Sequence, residues 1–61
     1  MEPPTVREIT RRLEREGWKL ARCKKGRRIY VKDGKIVTIH GRDGDRPKKG
    51  TYAEIKREAG W

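Results

Sequence analysis

The sequence predicts an α+β fold in two layers, α-β-β-β-α, with a three-stranded antiparallel sheet and both helices on one of its faces. Three observations carry that expectation. Residues 5–17 and 51–60 share one punctuation: a threonine, a glutamate three positions on, and a closing glycine. Residues 18–40 alternate apolar and polar positions and are rich in β-branched side chains. Asp33-Gly34 stands between two such runs, where a tight hairpin needs two residues that accept positive φ.

Taken in order, "TVREITRRLEREG" is a helix. Thr5 caps the free amides and Glu8 completes a capping box. Val6, Ile9 and Leu13 recur at helical spacing and form the apolar face. Gly17 closes the helix at the position where a left-handed residue is favoured. "WKLARC" is a first strand with Trp18 and Leu20 on one side, and Trp18 is expected in the core. "KKG" is a turn. "RRIYVK" and "KIVTIH" are the second and third strands, joined by Asp33-Gly34. In the second strand Tyr30 alternates away from Ile29 and Val31, so it is expected on the outer face as a base or partner contact. Residues 41–50, with three glycines and one proline, form a loop. "TYAEIKREAGW" repeats the first helix's signals. Thr51 and Glu54 form a second capping box, Tyr52, Ile55 and Ala59 face inward, and Trp61 clamps the end.

Sixty-one residues hold one domain, 1–61, and with 31% hydrophobic residues the core is thin. The single cysteine, Cys23, cannot form an internal disulfide and reads as a small strand residue. No signal-peptide or membrane-spanning pattern is visible, so a cytoplasmic protein with no membrane association is expected. The formal charge is +9, and it is segregated. Residues 19–49 hold twelve Lys or Arg and three Asp, while the rest hold six basic residues and six Glu. The middle of the chain therefore carries the whole excess. With both helices behind the sheet, those cations fall on its other face and the adjoining loop, which points to a polyanion, nucleic acid above all. The element order is also that of double-stranded-RNA-binding domains, which read shape, phosphate and 2′-hydroxyl groups.

Three stretches give a closer likeness: "LEREGWKLAR", "RIYVKDGKIVTIHG" and "PKKGTYAEIKREAGW". Together they resemble the HicA family of small bacterial toxins over about residues 6–61. The resemblance implies a double-stranded-RNA-binding-like fold, a metal-independent mRNA interferase activity without cofactors, and a HicB antitoxin as partner in a type II pair. It also implies a Gly-Ser-His sequence before the second strand, with that histidine catalytic. Ungapped alignment on Arg22 and Arg28-Ile29-Tyr30 puts Lys25-Gly26-Arg27 there instead, so Arg27 stands in the histidine's place. Guanidinium binds phosphate but stays protonated and cannot serve as a base. Two readings follow: a HicA-like toxin that binds RNA and cleaves it, or a catalytically silent RNA-binding module on the same fold. A basic ribosome- or DNA-associated protein is a third.

The candidate RNA-binding residues are Lys24, Lys25, Arg27, Arg28, Tyr30, Lys48 and Lys49. The two lysines of the loop precede a helix N-terminus that itself attracts anions. Gly26 reads as a turn glycine. His40, the only histidine, is the candidate general base or acid. No metal site is expected: one His and one Cys make no zinc set, and Asp43 and Asp45 are expected to be neutralised by Arg42 and Arg46. RNA and a HicB-like antitoxin with an acidic surface are the expected partners, with a homodimer as a further candidate because the core is thin.

Overall fold

The computed structural model describes residues 2–61. Helix α1 (Val6–Arg15) is followed by strands β1 (Lys19–Lys24), β2 (Arg27–Lys32) and β3 (Lys35–His40), and by helix α2 (Lys49–Ala59). The strands form one antiparallel sheet in the order β1-β2-β3. Val6, Ile9 and Leu13 of α1, Ile55 of α2, and Trp18, Tyr30, Val37 and Ile39 make a single buried cluster. Tyr52, Ala59 and Trp61 pack on its margin. The fold is thus the α+β arrangement the sequence predicts.

Helix α1 is fastened at both ends. Thr5 Oγ1 accepts the Glu8 amide at 3.3 Å. The Val6 and Arg7 amides, which no turn of α1 can satisfy, donate to the carbonyls of Asp45 (2.8 Å) and Asp43 (3.0 Å) in the 41–48 loop. At the other end Gly17 takes φ +98°. The Trp18 amide reaches the Leu13 carbonyl at 2.9 Å and the Gly17 amide reaches Glu14 at 3.1 Å, the paired bonds of a Schellman motif. Lys32 Nζ caps the Glu16 carbonyl at 2.7 Å.

Helix α2 ends in the same way, with Gly60 at φ +80° and bonds from Trp61 to Lys56 (2.8 Å) and Gly60 to Arg57 (3.3 Å). Its start corrects the expected second capping box. The N-cap is Lys48, and its side chain makes no capping hydrogen bond. Thr51 lies inside the first turn, because Tyr52 already bonds the Lys48 carbonyl at 2.8 Å. The helix therefore begins at Lys49, two residues ahead of Thr51, with Lys48 still extended.

Both hairpins have positive φ at their two central residues: Lys25 (+50°) with Gly26 (+75°), and Asp33 (+48°) with Gly34 (+77°). This is the type I′ pattern. The second turn pairs Lys32 with Lys35, hence Tyr30 with Val37 and Arg28 with Ile39. Val37 and Ile39 are fully buried under the helices, and side chains opposite one another share a face. Tyr30 and Arg28 must therefore point to the helices too. This overturns the outer-face expectation for Tyr30, which is 3% exposed. Ile29 and Val31, expected inside, lie on the outer face. Burial, with the Glu14 carboxylate second, holds the Tyr30 phenol above its ordinary value.

Trp61 packs against α1 through polar as well as apolar contacts. Its Nε1 donates to Glu16 Oε1 at 2.7 Å. The Arg12 guanidinium lies 4.0 Å from the ring centroid, and Arg12 Nε donates to Glu16 Oε2 at 3.1 Å. These bonds, that of Trp61 first, hold the Glu16 carboxyl below the usual carboxylate value.

Trp61→Ala should lower stability by about 2 kcal/mol, less than truncation of a fully buried aromatic, as read by urea denaturation. Because the folded carboxyl of Glu16 is depressed, its contribution is complete above the ordinary value of 4.5 and fades as pH falls through the folded one. Glu16→Gln keeps an acceptor for Trp61, and its stability should converge on that of the parent chain only in acid.

Candidate nucleic-acid interface

Among the described residues, both helices pack on one side of the sheet and no element covers the outer face. On β2 it presents Arg27, Ile29 and Val31, and on β3 Ile36, Thr38 and His40. On β1 a register shift between Leu20 and Arg22 changes the parity. Leu20 pairs with Tyr30 on the helix side, whereas Arg22 pairs with Ile29 and Lys24 with Arg27 on the outer side. Simple alternation would have left Arg22 beside Trp18 and Leu20, so sequence reasoning missed it as a site residue. A bulge leaves little trace in six residues.

The sheet lines up one row, Lys24–Arg27–His40, across all three strands. The Gly41 amide donates to the Gly26 carbonyl at 3.1 Å, so 26 and 41 form a hydrogen-bonded pair. Bonded and non-bonded pairs alternate, which makes Arg27 and His40 a non-hydrogen-bonded pair with Cα atoms about 4.5 Å apart and side chains close. All three residues of the row are exposed. Arg22, Lys24, Lys25, Arg27 and Ile29 line one shallow cleft of about 350 Å³. Four cations face it, and no ion pair among the described residues neutralises them. Lys25 holds a left-handed conformation without being glycine, a strain of about 1 kcal/mol. The tight turn that demands it also carries a charge to the edge of the cleft.

The structure separates the other candidates from this cluster. Arg28 projects to the helix side, where its Nη1 meets Asp43 Oδ1 at 2.7 Å. That carboxylate raises the already high value of the guanidinium. Arg28 is therefore a strut for the loop that caps α1, which corrects its assignment to the RNA-binding set. Tyr30 is removed from that set by its burial. Lys48 and Lys49 start α2, and Lys49 borders a different depression with Pro3, Pro4 and Tyr52. Their helix end carries no side-chain cap. Of the two loop carboxylates only Asp43 is in an ion pair among the described residues, and its partner is not a loop arginine as expected. Asp43 is held by Arg28, and Asp45 Oδ2 accepts the Arg42 amide at 2.9 Å. Arg46 instead bonds the Pro3 carbonyl at 2.7 Å and faces Glu2 at 3.5 Å. Cys23 is exposed, pairs with Arg28 and thus faces away from the row. Among the described residues no three His, Cys, Asp or Glu side chains converge as metal ligands. No helix is long and apolar enough to cross a membrane.

Chemically, the cleft offers cations on an open surface without a lining carboxylate, and the imidazole of His40 belongs to the residue paired with Arg27 beside it. Such a surface binds phosphate, and the cations act with little competition from the protein's own acids. Ile29, Val31 and Ile36, the last 56% exposed, add an apolar lane beside it.

Comparison with known proteins gives one match. Residues 6–61 fit the family described as HicA toxin of bacterial toxin-antitoxin systems. No curated protein and no solved structure matches the chain.

The different roles of the two adjacent arginines can be separated by hydrogen exchange. Arg28→Gln should loosen the loop and speed exchange of the Val6 and Arg7 amides by about 2- to 5-fold, as expected for loss of a partly exposed ion pair worth about 0.5–1 kcal/mol. Arg27→Gln should leave both amides protected.

Proposed function

The chain belongs to the HicA toxin family of bacterial toxin–antitoxin systems, and from that premise we propose that it is an RNA-directed toxin acting on mRNA in the cytoplasm. The observation that carries this reading is the Lys24–Arg27–His40 row with Arg22 and Lys25 beside it, on a sheet face that no element of the described residues covers. Successive phosphates of a strand laid along that face meet a cation at each step. The lane of Ile29, Val31 and Ile36 lies where riboses and bases would rest. Recognition is then by charge and shape, with base-specific contacts secondary.

On the same reading, neutralisation is occlusion. An antitoxin of the HicB kind would bring acidic side chains to the cationic end of the face and apolar ones to Ile36 and Val31, taking the place of RNA. The reading needs no second copy of the chain.

A second reading is favoured by one specific residue. Arg27 stands where the family resemblance expects a histidine, and a guanidinium holds phosphate without accepting a proton. On that ground the chain is a silent RNA-binding module that grips a transcript without cutting it. Incubation with RNA separates the two: fragments ending in cyclic phosphate mark an enzyme, and intact but retarded RNA marks a binder.

Salt dependence checks the binding itself. The logarithm of affinity should fall linearly with the logarithm of salt concentration by about 0.7 per phosphate contact on single strands. Lys24→Ala, Lys25→Ala and Arg27→Ala should each flatten the slope by about one contact. Arg28→Ala should leave it unchanged, and a flat profile for the parent chain would remove the phosphate-binding claim.

A further inference from the structure

We propose that His40 is the general base of an RNA-cleaving site whose phosphate clamp is formed by Arg27 and Lys24 across the same row of the sheet. This rests on the RNA-directed reading above and adds chemistry to it. The argument is one of elimination and placement. His40 is the only imidazole in the chain, and the outer face carries no carboxylate. Tyr30 is buried on the opposite side, Asp43 is held by Arg28, and Asp45 accepts the Arg42 amide. The ionisable side chains that line the cleft itself are lysines and arginines, which bring donors only, and His40, next to Arg27 on the ladder, is the outer-face side chain with a ring nitrogen able to accept a proton.

Its placement is fixed by the ladder. The Gly41 amide, next in the chain, is tied to the Gly26 carbonyl at 3.1 Å, so His40 sits on a pinned strand end. Opposite it, Arg27 is the close, non-hydrogen-bonded neighbour, and Lys24 follows on the next strand. A phosphate held between Arg27 and Lys24 would place the ribose bonded to it through the 3′-oxygen, the one whose 2′-hydroxyl attacks, on the His40 side of the row. His40 takes part in no ion pair among the described residues.

The step balances without a co-reactant. A ring nitrogen of His40 takes the 2′-hydroxyl proton, and the 2′-oxygen forms a new bond to phosphorus. The bond from phosphorus to the 5′-oxygen breaks. That oxygen takes a proton from water, and the imidazolium returns its own to solvent. The products are a 2′,3′-cyclic phosphate and a free 5′-hydroxyl. Arg27 and Lys24 neutralise the charge that builds on the equatorial oxygens.

The experiment uses the full chain and a 5′-labelled single-stranded RNA, with binding read by gel retardation and cleavage by product length. His40→Ala, at an exposed strand end, should still retard RNA, with any loss of affinity small beside that of Arg27→Ala. Its cleavage should be slower by about 10²- to 10⁴-fold, the usual contribution of a positioned proton-transfer group. Free imidazole should restore part of that loss, which a purely structural histidine would not allow. The proposal is overturned if His40→Ala cleaves at the parent rate, if imidazole restores nothing, or if the parent chain binds RNA and leaves it intact. If the parent chain binds no RNA at all, the RNA-directed reading falls and this proposal with it, so the two failures are told apart by the retardation lane.

Discussion

The burial of Tyr30 between the helices and the sheet is the constraint from which the surface follows. Strand β2 is the middle strand, so its two faces are committed together. The phenol fills the space beside Val37 and Ile39, and its neighbours in sequence are turned outward by the pleat. Arg27, Ile29 and Val31 are on the surface because Tyr30 is not. A shift of one position would turn Arg27, Ile29 and Val31 inward in exchange for Arg28, Tyr30 and Lys32, losing the buried aromatic and the Arg28–Asp43 pair. The Asp33-Gly34 turn prevents that shift by pairing Lys32 with Lys35. One two-residue turn thereby decides which cations meet solvent.

The same commitment divides two adjacent arginines between stability and chemistry. Arg28, on the helix side, meets Asp43 and steadies the loop whose carbonyls cap α1. Arg27, one residue earlier, has no acid to meet and stays available to a ligand. The sequence "RR" presents them as equivalents. Their separation is produced by the sheet, which also carries Lys24 and His40 from either side to the same row. Charge in this molecule is thus sorted twice, first along the chain and then across the pleat.

Much of the fold could be read from local signals, since those signals are local in origin. Glycines at helix ends, a threonine at the first cap and Asp-Gly between β-branched runs act within a few residues, and they placed all five elements. What could not be read depended on distant partners. Tyr30 beside Ile29 and Val31 gives three apolar positions in a row, and alternation alone cannot say which set is inside. Only the pairing to Val37 settles it. Arg22 reaches the cleft through a bulge at Ala21, whose sequence carries no mark. The start of α2 is not legible because Thr51 and Glu54 have the form of a cap without its position, and the helix begins at Lys49. The nearness of His40 to Arg27 was out of reach as well, as it is a property of the ladder and not of spacing along the chain.

Helix α1 precedes in synthesis the long-range contacts that secure it. Its first amides wait for the carbonyls of residues 43 and 45, and its far end waits for the indole of Trp61. Its local caps at Thr5 and Gly17 form first and the long-range ties follow, so the order in which the sequence is laid down matches the order in which the helix that backs the sheet through Val6, Ile9 and Leu13 is secured.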